Sequence, residues 1–245
     1  MARKPKSPSP SDPDAGAPPQ RPTRGGDRER VIDAFMTLLA ERSFEEIGLG
    51  DIAERAGLSL AELRDLFDDK IAILAARTKE IDRAVLSGGD ADMADEPPRE
   101  RLFDVLMRRF EAMAHDKAAV RSLMQSATCN PALALELNQL AVNSQQWMLT
   151  AAAIGASGPK GMLRAQGLAL MFAQVARTWV HDDDAGLART MAALDRALAR
   201  GQRWAGLLDD AFRVAAVPWR VRDRMRDRAR RRRDIDESGD EATAM

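Results

Sequence analysis

The chain has 245 residues, 31% charged and 45% hydrophobic, with 4% aromatics and no tyrosine. That length supports one sizeable domain or two modest ones, the single Cys129 rules out an intramolecular disulfide, and no apolar run reaches the roughly 18 residues a membrane span needs. The formal net charge of -1 conceals strong local asymmetry.

The helix formers Ala, Leu, Met, Arg and Glu make up much of the chain, and β-branched residues are sparse. Composition therefore predicts an all-α fold. Residues 1–26 are rich in Pro, Ser, Gly, Lys and Arg, and read as a disordered arm without the apolar core of a secretory signal. A first helix over 28–42 places Val31, Phe35, Leu38 and Leu39 on one face. Phe44 and Ile47 follow as core plugs, then a short helix over 49–56 buries Ile52, Ala53 and Ala56. Gly57-Leu58-Ser59 reads as a tight turn. Ser59 and Glu62 have capping-box spacing at the start of a third helix with Leu63, Leu66 and Phe67 inward. A fourth helix over 70–86 turns Ile73, Leu74, Ile81 and Val85 inward. Residues 88–98, with glycines, acids and prolines, form a linker.

Helical periodicity resumes at Leu102 and predicts helices near 117–128, 131–155, 160–181, 185–199 and 201–214. Residues 99–217 thus make a helical body and 27–87 a smaller head. Residues 220–233 hold nine arginines against two aspartates, and 218–245 read as an Arg-rich helix followed by a disordered tail. That basic stretch has two readings: a solvated extension, or an arm drawn to nucleic acid or an anionic membrane surface.

Two short helices joined by a Gly-containing turn and preceded by a third form a helix-turn-helix pattern. The strings from Arg30 to Phe35, from Ser43 to Ala53 and from Ala56 to Ser59, with Leu63, Phe67, Lys70 and Leu74, resemble the N-terminal domain of TetR-family regulators. The resemblance covers about residues 28–75. It implies a TetR-like fold with a C-terminal helical-bundle domain for ligand binding and dimerisation. It also implies a cytoplasmic homodimer, a repressor that holds palindromic operator DNA and is released by a small apolar effector. The DNA-facing set is then Arg55, Ser59, Leu60, Glu62, Arg64 and Lys70. Arg64 and Lys70 would meet phosphates, and Leu60 to Glu62 would face bases. The family places Ser or Thr where this chain has Gly48, Thr and Tyr where it has Glu62 and Arg64, and a frequent His where it has Leu66. From Asp27 to Lys70, twelve acids stand against six bases, a net of -6. An acidic head works against phosphate neutralisation.

A shorter resemblance leads elsewhere. Trp179 to Asp184 and Thr190 to Arg196 are similar to the C-terminal part of the COQ9 family. That likeness implies a TetR-fold, lipid-binding accessory protein that has lost specific DNA binding.

The body offers Phe103, Met107, Phe110, Met124, Trp147, Met148, Met171, Phe172 and Trp179 as an apolar inventory. Such stripes are what a core requires; that they enclose an effector pocket is implied by the TetR resemblance. His115 and His181 are far apart, and the aspartates 182–184 read as helix caps rather than metal ligands. No P-loop, dinucleotide fingerprint or nucleophile elbow is present. The expectation is a non-enzyme without cofactor or metal.

Overall fold

The computed structural model describes residues 24–89, 93 and 95–215, with side chains placed from 25 to 201. Among the described residues nine α-helices follow in order: α1 (Arg24–Glu41), α2 (Leu49–Ala56), α3 (Leu60–Leu66), α4 (Lys70–Ser87), α5 (Pro98–Ala112), α6 (Lys117–Cys129), α7 (Pro131–Ala151), α8 (Gly158–Trp179) and α9 (Ala188–Ala215). Short 3-10 turns occupy Phe44–Glu46 and Ala114–Asp116. No strand occurs among the described residues, so the fold is all-α.

The helix starts are chemically marked. Ser59 Oγ accepts from the Glu62 N–H at 3.2 Å, and Glu62 Oε2 accepts from the Ser59 N–H at 2.8 Å. This reciprocal pair fills two otherwise orphaned donors. Asp51 Oδ2 accepts the Gly48 N–H at 2.8 Å, but Gly48 has no side chain to return the bond. Asp69 and Asn130 cap α4 and α7 through the N–H groups of Ala72 and Leu133. The turn between α2 and α3 needs Gly57, whose φ of 68° closes α2 in the left-handed region. Asp184 accepts from the Ala188 N–H at the start of α9, as the capping reading of the aspartates requires.

Two apolar clusters result. The head cluster contains Val31, Ile32, Phe35, Leu38 and Leu39 of α1, with Ile47, Ile52, Leu63, Phe67, Ile73 and Leu74. The body cluster contains Leu106 and Phe110 of α5, Met148 and Leu149 of α7, Phe172 and Trp179 of α8, and Leu194 of α9. Helix α4 serves both, with Ile73, Leu74 and Ala76 in the head and Ile81 and Val85 in the body. Helix α6 also enters the head cluster, through Ala119 and Leu123. Polar bonds reinforce this seam. Ser126 Oγ accepts from the Phe44 N–H at 3.1 Å, and Ser122 donates to the Arg42 carbonyl at 3.0 Å. Asn130 Nδ2 donates to Glu45 at 2.9 Å. The head therefore leans on the body rather than standing apart.

Three boundaries differ from the sequence reading. Helix α1 starts at Arg24, inside the stretch read as an arm. Helices predicted at 185–199 and 201–214 are one continuous α9; Gly201 is tolerated inside it because a single helical glycine costs only about 1 kcal/mol against Ala. Helix α7 ends at Ala151, short of 155, because Ala153 takes a φ of 53° and the Ile154 N–H bonds back to Leu149. The rest of the arm, most of the linker's acidic stretch and the Arg-rich tail lie outside the described residues.

Gly161 of α8 is buried against the loop that follows α7. A Cβ there would lie 2.1 Å from the Ala156 carbonyl carbon and oxygen. Gly161→Ala must therefore displace backbone, and is expected to lower the thermal midpoint clearly. Ala153→Gly relieves a left-handed alanine and is expected to stabilise by about 0.5–1 kcal/mol. Denaturant titrations of the two variants check both signs, and an unchanged midpoint for Gly161→Ala would refute the close approach.

Candidate nucleic-acid interface and ligand core

Helices α2 and α3, locked by the Gly57 turn and the Ser59 cap, present a short outward face. Leu60 is 60% exposed, and Ala61, Glu62, Arg64 and Asp65 are exposed beside it. An uncovered leucine at the first turn of a seven-residue helix has no local packing partner to explain it. Arg55 of α2 and Ser59 also lie at the surface. The structure thus brings five of the six sequence-predicted residues to exposed positions of the helix-turn-helix.

Lys70 is the departure. Its ammonium donates to the Phe44 and Ile47 carbonyls at 2.7 and 2.8 Å and sits 4.0 Å above the Phe44 ring. Burial pushes its pKa down, opposed by nearby Glu45. The side chain fastens the turn after α1, because two carbonyls there lack helical partners. It does not stand with Arg64 as a surface cation.

Every base from Arg28 to Lys70 has a partner within the fold. Arg28 donates to the Leu66 carbonyl and covers the Phe67 ring at 4.2 Å. Arg30 pairs with Asp27 and reaches the Ala56 carbonyl. Arg42 lies 3.7 Å from Asp51. Arg55 forms a two-pronged pair with Glu41 at 2.8 and 3.0 Å. Arg64 bonds the Asp68 carboxylate at 2.9 Å. These attachments differ in strength. Exposed pairs contribute only about 0–1 kcal/mol, so Arg64, with its side chain 67% exposed, and Arg55 can exchange a carboxylate for a phosphate at little cost. Lys70 cannot leave without stranding two carbonyls.

The body brings together most of the predicted inventory. Met107, Phe110, Met148, Phe172 and Trp179 are buried in one cluster, with Phe103, Met124 and Met171 half-buried against it. Phe110 stacks on Phe172 at 4.5 Å and lies 5.6 Å from the Trp179 ring. Trp147 is a correction: it is 58% exposed and lines no part of this core. Its neighbours Met148 and Leu149 take the inward positions of α7.

Sequence reasoning missed a buried ionic centre. Arg109 of α5 pairs with Asp82 of α4, and Ser144 of α7 donates to the same Asp82 oxygen at 2.6 Å. All three are buried, and Arg109 also lies 5.4 Å over the Phe172 ring. Burial pushes the Arg109 pKa down, and Asp82 opposes that. The available signal was a charge in an apolar stripe: Asp82 beside Ile81 and Val85, and Arg109 between Leu106 and Phe110. A second pair, Arg77 to Asp116 at 2.7 Å, ties α4 to the turn before α6. Among the described residues, Arg109 Nε, Arg121 Nε, Gln145 Oε1, Trp179 Nε1 and Asp182 Oδ1 are buried without a hydrogen-bond partner. No group of three His, Cys, Asp or Glu among those residues is placed to hold a metal, and no helix among them is long and apolar enough to cross a membrane.

No protein-family profile matches the chain, and no curated protein matches it. Solved structures do. The TetR transcriptional regulator from Nitrosomonas europaea ATCC 19718 superposes with a TM-score of 0.56 at 23% identity, covering 71% of this chain and 96% of that one. A TetR-family transcriptional regulator from Rhodococcus sp. gives a TM-score of 0.50 at 22% identity, covering 71% of this chain and 97% of that one. The likeness is one of fold: this chain has the all-helical architecture of TetR-family regulators.

Hydrogen bonds hold four head carboxylates below their ordinary value of 4.5: Glu41 through Arg55, Glu45 through Asn130, Glu46 through Ser43 and Glu62 through Ser59. A depressed folded-state pKa stabilises above the unfolded value, and that contribution is lost as pH falls through the folded one. The head is therefore expected to be insensitive to pH from 7 to about 5 and to loosen below 4.5. Hydrogen exchange at the α3 amides across that range tests this. Glu62→Gln should flatten the acid response locally, and an unaltered response would remove the cap from the account.

Proposed function

We propose that the chain is a homodimeric, cytoplasmic, TetR-type transcriptional regulator that represses from palindromic operator DNA and is released by a small apolar effector held in the body. The observation that carries this reading is the exposed outward face of α3 on a capped helix-turn-helix, set within an architecture shared with TetR-family regulators. Arg64 and Arg55 position phosphates after exchanging their carboxylate partners, and Leu60 to Glu62 face base edges. Glu62 accepts from cytosine N4 if it leaves its cap, and otherwise remains a structural residue. No catalytic role is proposed.

Dimerisation draws on a second observation. Leu135 and Trp147 of α7, with Met162, Leu163 and Leu170 of α8, are exposed, at 69%, 58%, 62%, 42% and 61% respectively. Asn138 and Gln166 exchange two hydrogen bonds across the α7–α8 seam, which holds the two helices side by side. Exposed apolar residues gathered on two adjacent helices mark an association surface. A second copy supplies the self-complementary cover that a two-fold interface requires.

The full commitment of the head's bases favours one competing reading, a lipid-binding accessory protein of TetR fold without operator DNA. Fluorescence anisotropy of the full chain against its own upstream DNA and a scrambled control, over a salt series, separates the two. Tight binding to the upstream DNA alone supports the regulator; weak and equal binding to both defeats it. On the regulator reading, Arg64→Ala weakens binding on all sequences and reduces the salt slope by about one phosphate contact. Unchanged affinity would place Arg64 outside the interface. Leu170→Glu should convert the dimer to monomer in sedimentation; a persistent dimer would assign the interface elsewhere.

A further inference from the structure

Among the described residues, the aromatic row of the body carries two N–H donors that no protein group accepts. Arg109 Nε and Trp179 Nε1 are buried without a hydrogen-bond partner, in residues 5% and 0% exposed. An unmatched buried donor loses its hydration and gains nothing in return. These two stand at opposite ends of one aromatic row. The Arg109 guanidinium lies 5.4 Å over Phe172, Phe172 stacks on Phe110 at 4.5 Å, and Phe110 lies 5.6 Å from Trp179. Flat apolar rings with a donor beside them are the surroundings of a ligand that is mostly ring or hydrocarbon with an oxygen at one end.

The charge arithmetic narrows the chemistry. Asp82 already matches the Arg109 charge, and Ser144 donates to Asp82 rather than to any incoming group. What Arg109 still offers is an N–H, not an unmatched cation. A carboxylate entering here would set a second anion beside Asp82 in a low-dielectric interior. At the far end, Lys117 lies 5.3 Å over Trp179, but its ammonium donates to the Asp182 carbonyl.

We propose that Arg109 Nε is the polar anchor of a ligand site in the body, taking the carbonyl oxygen of an uncharged, aromatic or apolar molecule such as a ketone or ester. The Phe172 and Phe110 rings hold its apolar part, and Trp179 Nε1 takes a second oxygen in a longer ligand. This deepens the effector reading above and rests on it for the site's regulatory purpose, though not for the binding itself.

Isothermal titration calorimetry of the full-length protein, without DNA, tests it with three matched probes. Benzylacetone is the uncharged ketone, hydrocinnamate is its carboxylate isostere, and butylbenzene lacks the oxygen. The ketone is expected to bind about tenfold to a hundredfold tighter than either other probe, the range for a hydrogen bond to a charged donor. The double variant Asp82→Leu with Arg109→Met removes both charges together, a change buried ion pairs often tolerate, and should abolish the preference. Arg109→Lys keeps a cation for Asp82 but lacks the Nε donor, and should abolish it too, covering the case in which the double variant does not fold. Equal binding of the three probes, preference for hydrocinnamate, binding of none, or a ketone preference that survives in the folded variants would overturn the proposal. A crystal structure with ordered water on Arg109 Nε in the presence of benzylacetone would do the same. Failure of operator binding would sink the regulator reading and leave this result standing.

Discussion

Helix α4 is the constraint on which the rest depends, because it must satisfy two cores at once. Its first half lies among Phe35, Ile52 and Leu63, and its second half among Leu102, Leu106 and Val142. The helix runs unbroken from Lys70 to Ser87, so Lys70 and Asp82 lie about 18 Å apart along its axis at ~1.5 Å per residue. The same helix thus carries Asp82, with its partners Arg109 and Ser144, and Lys70, which holds the turn at Phe44 and Ile47. The bonds from Ser126 and Ser122 of α6 to Phe44 and Arg42, and from Asn130 to Glu45, give the same turn a second attachment to the body. Head and body are thus joined by contiguous packing and hydrogen bonds.

The acidity of the head follows partly from how its short helices begin. Glu46, Asp51, Glu62 and Asp69 each accept a backbone N–H at the start of a turn or helix. Carboxylates suit those positions because the first N–H groups of a helix are unpaired and the helix dipole favours negative charge there. Helices of seven and eight residues are marginal alone, so α2 and α3 depend on such caps. The same residues leave the head with more acids than bases, and the arginines are drawn into pairing with the surplus. Local stability and attraction to phosphate therefore pull the composition in opposite directions, and an exposed cation such as Arg64 is a reserve rather than a free charge.

Much of this was legible in the residues. The Ser59–Glu62 cap, the Gly57 turn and the inward faces of α1 to α4 follow from spacing alone, because caps and helical periodicity are local rules. The orientation of Lys70 was not legible: what turns it inward is a pair of carbonyls more than twenty residues earlier. Trp147 misled for a related reason. Helix α7 has apolar residues around most of its circumference, so periodicity does not separate the core side, with Met148 and Leu149, from the side that bears Trp147. The Arg109–Asp82 pair shows the limit most clearly. A charge in an apolar stripe can be seen on each helix, but only packing reveals that the two charges meet.

That pair also needs a reason to exist. Desolvating two charges offsets most of their attraction, and well-packed apolar residues of similar volume often serve stability as well or better. Its contribution to folding is therefore a weak explanation for burying Arg109 among aromatic rings. What the pair does provide is a neutral but strongly polar point inside an otherwise apolar body. Asp82, itself held by Ser144, fixes the guanidinium, as a supporting shell fixes a functional group, and the remaining N–H is held in place before anything binds. A donor oriented in advance discriminates by hydrogen bonding rather than by shape, which an adaptable methionine-lined core could not do alone. The carboxylate of this centre, Asp82, sits on α4, so a polar point of the body is tied to the helix that also carries the head.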